Sequence, residues 1–132
     1  MRENKAQPIQ GLLVRADAKG GPYHIETDQA VAAGGEASAP EPFVLFLGSI
    51  ATCAGIYALD FCNARKIDID GMSLSMTCEW NEERKRYDKF AIDLKLPAGF
   101  PDKYTNAIIR AMDLCGVKKH IIDPPAFEVT AS

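Results

Sequence analysis

The amino-acid sequence predicts an α+β domain of antiparallel hairpins and one long apolar helix. Three observations carry that reading. From Met72 onward the residues alternate with a period of two, the seventeen residues Phe43 to Leu59 hold no charge, and turn signals link neighbouring strands without regular strand-helix-strand crossovers. At 132 residues the chain is the size of a single domain, able to bury a core yet with a surface-to-volume ratio that favours association.

Ile9 to Asp17 reads as a strand centred on Leu12, Leu13 and Val14, and Gly20-Gly21-Pro22 supplies a turn after it. The return strand, Tyr23 to Asp28, alternates Tyr23, Ile25 and Thr27 with His24, Glu26 and Asp28, the pattern of a half-buried strand. Small residues from Ala30 to Ala39 are expected to form a mobile loop. A helix then opens at Pro42, where a fixed φ and a missing donor are tolerated, and runs to about Ala64. It is apolar nearly all round and so must be covered on most sides, which one small sheet does not achieve.

Met72, Leu74, Met76, Cys78 and Trp80 then share one strand face, opposite Ser73, Ser75, Thr77 and Glu79. Asn81 to Asp88 forms a charged hairpin tip, and Phe90, Ile92, Leu94 and Leu96 alternate along the return strand. Pro101 opens a second helix whose Tyr104, Ile108, Ala111, Met112 and Cys115 fall on one face. A loop through Pro124-Pro125 and a short strand at Phe127 to Thr130 close the chain.

Composition narrows the function classes. With 47% hydrophobic and 25% charged residues the chain is neither disordered nor unusual, and a net charge of −3 lacks the basic excess that drives nucleic-acid binding. A spanning helix needs about 20 predominantly apolar residues, and Gly48, Ser49, Thr52 and Gly55 dilute this one, so a core helix is expected in place of a membrane span. No secretory signal is visible at the start, and a cytoplasmic location is the expectation. In that compartment Cys53, Cys62, Cys78 and Cys115 are expected as thiols and not as a disulfide framework.

Cys53 in the apolar helix and Cys115 at the end of the second pattern are the candidate reactive groups, though a buried cysteine also serves simply as a small hydrophobe. A thiol becomes a strong nucleophile only as thiolate, which apolar burial disfavours unless a positive group stands near. Mid-helix, Cys53 gains little from its own helix dipole. Arg15, interrupting an apolar strand core, is the candidate cation; an edge-strand arginine with its head in water is the alternative. Cys62, nine residues beyond Cys53 and about half a turn out of phase, cannot share its face. Cys78 is sheet packing. The five-residue spacing of Cys115 and His120, with His24, Asp113 and Asp123 as possible additions, is weak support for a metal, and none is expected. Gly34-Gly35 does not make a phosphate loop, and no cofactor is expected.

Pro42-Phe43-Val44-Leu45-Phe46, the segment Gly48-Ser49-Ile50-Ala51-Thr52-Cys53, and Met112-Asp113-Leu114-Cys115-Gly116-Val117 followed by Ile121 together resemble the OsmC/Ohr family. The resemblance implies an intertwined homodimer with thiol sites near the subunit interface, and reduction of organic hydroperoxides in oxidative stress defence. By position, Cys53 resembles the peroxidatic cysteine and Cys115 the resolving one, with a dithiol reductant to restore both. The family's arginine is matched loosely by Arg15. Its supporting glutamate is missing, because Phe43 occupies that position and Glu41 falls two residues too early. A divergent member is therefore expected: a thiol peroxidase, a non-peroxidase that binds a small apolar or thiol-reactive ligand at the dimer interface, or a protein of structural role or unrelated chemistry in which both cysteines are packing.

Overall fold

The structure, a computed structural model, describes residues 11–16 and 20–132, with side chains from Ile25 onward. The chain divides into two compact units, Met1–Gly48 and Ser49–Ser132. The boundary falls inside the long helix. The α+β class and the order of the first elements are as expected.

In the first unit, β1 (Gly11–Ala16) and β2 (Gly20–Glu26) pair antiparallel, Leu12 opposite Ile25 and Val14 opposite Tyr23, with a register shift between Val14 and Ala16. The return strand thus begins three residues earlier than its alternation suggested. Gly20-Gly21-Pro22, expected as the turn, are instead the first residues of β2, and Ile9 and Asp17 lie outside the described residues.

The segment from Ala30 to Ala39 is not the loose connection expected of its small residues. Asp28, only 1% exposed, gathers it. Its Oδ1 accepts from the Gln29 amide (2.7 Å), while Oδ2 accepts from the amides of Glu36 (3.2 Å) and Ser38 (3.0 Å) and from the Ser38 hydroxyl (2.5 Å). A one-turn 3₁₀ helix, Val31–Ala33, fits inside this wrap. Gly35 is required where the backbone folds back, since a Cβ there would stand 2.2 Å from the Gln29 carbonyl oxygen. Glu41 ties the far end, its Oε1 accepting from the Ala30 amide at 3.0 Å. The segment carries the chain to α1 as a laced loop.

Helix α1 runs Pro42–Ala64, with the bounds predicted from its proline start and apolar run. Its end is a Schellman turn: the Ile67 amide donates to the Cys62 carbonyl at 2.9 Å and the Lys66 amide to the Asn63 carbonyl at 3.2 Å. Lys66 adopts the left-handed conformation (φ 54°) where glycine is commonest. The Arg65 guanidinium lies 3.6 Å from the Phe61 ring centre and donates to the Phe61 carbonyl, holding a cation near the negative end of the helix.

In the second unit, β3 (Ser73–Asn81) and β4 (Arg86–Lys95) form an antiparallel pair. The alternation places Leu74 opposite Leu94, Met76 opposite Ile92 and Cys78 opposite Phe90, all half-buried, with the intervening residues of β3 exposed. A register shift between Glu79 and Trp80 ends the pattern. Trp80 is therefore 52% exposed, set edge-on to Tyr87, its Nε1–H donating to Glu82. The tip is a solvated mesh of charges including Arg84–Asp88 (2.8 Å) and Lys85–Glu82.

The helix expected from Pro101 to Cys115 forms but ends two residues early, and a further helix that was not expected follows it. After a 3₁₀ turn, α2 spans Thr105–Asp113 and α3 spans Gly116–Ile122, with Cys115 as the residue that caps α3. The strand expected at Phe127 to Thr130 is not formed. Phe127 and Val129 stand 88% and 94% exposed, because alternation assigns faces but supplies no partner strand to close a ladder. The core joins Ala58, Phe61 and Cys62 of α1 to Ile108 of α2, with Ile67, Met72, Leu94 and Phe100 packed round them. Ala58 has no exposed surface, and its small side chain permits this close packing.

The four hydrogen bonds hold the Asp28 carboxyl at about 2, against an ordinary 3.8, with the Ser38 hydroxyl the largest cause. A depressed carboxylate stabilises the fold above its unfolded pKa, and that contribution is lost as pH falls from 3.8 towards about 2. Asp28→Asn is expected to lower the melting temperature at pH 7, with the difference from wild type shrinking as the pH is taken down through this window. Thermal melts of both proteins across that range check it.

Candidate functional site

The site is built where α1 passes the junction of α2 and α3. Every buried residue of α1 from Ile50 on falls in one stripe: Ile50, Ala54, Ala58, Phe61 and Cys62, at helical spacings of three and four. Cys53, beside Ala54, stands at the margin of that stripe and is half-buried. On the other side, α2 ends at Asp113 and the chain turns through Leu114 before Gly116 starts α3, with the Cys115 amide donating to the Met112 carbonyl at 3.3 Å. The turn directs Cys115 inward, and it is 1% exposed.

The two thiols meet across this junction within hydrogen-bonding reach of one another. Burial pushes the Cys115 thiol up, and its hydrogen bond with Cys53 pushes it further; the backbone amides of Lys118 and Val117 at the start of α3 oppose the shift. None of the four cysteines is in a disulfide.

Beside the pair lies a cavity of about 450 Å³. Ile50 and Ala54 of α1, Phe90 and Ile92 of β4, and Ile108 and Met112 of α2 wall it, and Cys115 opens onto it. Lys118 and Asp113, joined as an ion pair and partly exposed, add the polar part of the lining. An apolar hollow with a few polar groups beside a thiol pair is the form of a small-molecule site.

Cys53 and Cys115, 62 positions apart in sequence, are therefore adjacent in space. Arg15 lies in β1, but its side chain is outside the described residues. Phe43, at the position where the family glutamate was sought, is an exposed ring 5.3 Å from that of Phe46. Glu41 is engaged with the Ala30 amide. Cys62 is wholly buried in the core, where burial pushes its thiol up against the opposing charge of Arg65. Cys78 is half-buried on the sheet opposite Phe90, as expected of a packing residue. His120 directs its Nδ1 to the Gly116 carbonyl oxygen within α3, at 2.6 Å, and among the described residues no group of three or more His, Cys, Asp or Glu is placed to hold a metal. Sequence reading missed Met112, Asp113 and Lys118 as cavity residues. The signal for the turn that places them was Gly116, a helix breaker directly after Cys115.

An α+β domain whose long helix and helical junction bring two thiols together beside an apolar hollow is the class that fold and site define. The family model described as OsmC-like protein matches residues 35–130, and the chain belongs to that family. Among solved structures, one from Psychrobacter arcticus 273-4, named for an osmotic stress induced and detoxification response, is 23% identical with a TM-score of 0.62, covering 74% of this chain and 72% of its own. Its likeness confirms the fold. An organic hydroperoxide resistance protein OsmC from Legionella pneumophila is 19% identical with a TM-score of 0.46, covering 75% of this chain and 74% of its own. No curated protein matches the chain.

The differing exposure of the four thiols sets an order of reaction. With a limiting alkylating agent at neutral pH, Cys53 and Cys78 are expected to be modified first, and Cys115 and Cys62 only on unfolding. Peptide mass mapping over time checks the order.

Proposed function

We propose that this protein reduces organic hydroperoxides through Cys53 and Cys115. The observation that carries the reading is the meeting of these two thiols beside the apolar cavity. The Cys53 thiolate attacks the distal peroxide oxygen and the O–O bond breaks. The alkoxide leaves with a proton as the alcohol, and Cys53 becomes a sulfenic acid. Cys115 then gives up its proton and attacks that sulfur as the thiolate. Its proton joins the departing hydroxide as water, and a disulfide forms. A dithiol reductant gives up two electrons and two protons to regenerate the thiols, a step suited to the reducing cytoplasm. Apolar walls fit an organic group better than hydrogen peroxide. The same hollow also supports the second reading, a small apolar ligand bound without turnover.

The partner in this proposal is a second copy of the chain. In the second unit Ile56 and Leu59 leave an apolar flank of α1 exposed, and it borders a groove with Thr52, Met72 and Leu74. By length and composition α1 would also cross a membrane. Its Ala58-Cys62 stripe packed in the core favours a protein partner.

Reduced protein mixed with one equivalent of cumene hydroperoxide is expected to lose two thiols and about 2 Da of mass. Cys53→Ser abolishes this loss, and Cys115→Ser halts the reaction at a sulfenic acid on Cys53 that dimedone traps. Thiols unchanged over hours would overturn the peroxidase and leave the ligand-binding reading. Ile56→Glu, which places a charge in the exposed flank, is expected to convert a dimer to a monomer in sedimentation; a wild-type protein that sediments as a monomer refutes the paired assembly.

A further inference from the structure

We propose that Cys53 and Cys115 also form a two-thiolate site for copper(I), with the thioether of Met112 as a weak third donor. The two sulfurs come from different elements yet stand within hydrogen-bonding reach, a span that one two-coordinate ion bridges with little movement of either helix. Met112, three residues before Cys115, lines the same cavity and brings a third soft sulfur to that wall.

The donor set decides which ion fits. Structural zinc asks for four nitrogen or sulfur ligands, and calcium or magnesium for a cage of oxygens. Among the described residues no group of three or more His, Cys, Asp or Glu is placed for either. Two thiolates and a thioether, with neither carboxylate nor imidazole, select a soft monovalent ion that accepts low coordination, which is copper(I). The surroundings agree. Cys115 is almost fully buried and faces apolar walls, which limits water at its sulfur. Burial and the Cys53 hydrogen bond push the Cys115 thiol up, and the amides of Lys118 and Val117 offset part of that cost for a bis-thiolate complex with its net single negative charge.

Binding moves no electrons. One copper(I) ion, delivered as a thiolate complex, exchanges its two Cu–S bonds to the carrier for bonds to Cys53 and Cys115, and the two thiol protons pass to the released carrier thiolates or to solvent. Affinity is therefore expected to rise with pH, by up to about 100-fold per unit while both thiols are protonated in the apoprotein. Because the metal occupies both sulfurs, bound copper and hydroperoxide exclude each other. The inference uses the same pair as the proposed peroxidase but does not depend on any reaction with peroxide.

The test is an anaerobic titration of the reduced full-length chain with copper(I) against bathocuproine disulfonate, with X-ray absorption on the loaded wild type. Expected are one copper per chain, a first shell of two or three sulfurs, and no competition from equimolar zinc. Cys53→Ser and Cys115→Ser each weaken binding at least about 100-fold, Met112→Leu less than about tenfold, and Cys78→Ser not at all. Circular dichroism confirms that each variant is folded. A nitrogen- or oxygen-rich shell in the wild type, equal competition by zinc, or wild-type binding in either folded cysteine variant overturns the site. Copper binding without thiol oxidation by hydroperoxide would refute the peroxidase alone; thiol cycling without copper binding would refute the metal site alone.

Discussion

The second unit depends on one stripe of α1. Ile50, Ala54, Ala58, Phe61 and Cys62 supply its buried face, and only small or well-shaped side chains let β3, β4 and α2 come close to a single helix at once. Ala58 and Ala54 keep the approach tight, and Phe61 with Ile108 fills the space below them. The cavity exists because this packing loosens towards the Ile50 end, where the same stripe meets Phe90, Met112 and Cys115 across a gap. Core and candidate site are thus two ends of one contact surface. A helix that did not present alanine at both central positions would hold α2 further away, and the two thiols would not meet.

What the sequence made legible follows from which forces act locally. The bounds of α1 were readable because Pro42 and the charge-free run act within a few residues, and the β3–β4 pairing because the alternation is strict on both strands. The division between α2 and α3 was not readable from periodicity. Tyr104, Ile108, Ala111, Met112 and Cys115 fit one continuous helical face, and a turn at Leu114 that still sends Cys115 inward preserves that appearance while changing the backbone. The expected strand at Phe127 to Thr130 erred differently, since its alternation is real and a ladder also needs a partner edge. The lacing of the 28–41 segment was hidden because Asp28 read as the outward residue of a strand, whereas its carboxylate faces four donors.

At the site, the pairing of Cys53 with Cys115 was implied by the family resemblance more than by spacing, and the structure gives it a physical form. The two thiols differ in what surrounds them. Cys53 is half-buried at the edge of its helix stripe, and Cys115 is enclosed at a helical junction. In the proposed cycle this asymmetry would divide the labour, the more exposed sulfur meeting the substrate and the enclosed one resolving the sulfenic acid. The missing family glutamate leaves Phe43 facing outward, so whatever supports a thiolate here does so without a carboxylate at that position.

One feature of α3 couples chemistry to mechanics. At seven residues it is too short to persist by its own hydrogen bonds, and it holds only because its ends are fixed. One of those ends is Cys115. A cross-link from that sulfur to α1 would tether the first turn of α3 to the longest helix, and its removal would free that turn to fray. The oxidation state of the pair would then be written into the backbone of residues 116–122 as a difference in local opening. The extended tail beyond Ile122, with Phe127 and Val129 in water, would inherit it as a change in how firmly its base is held.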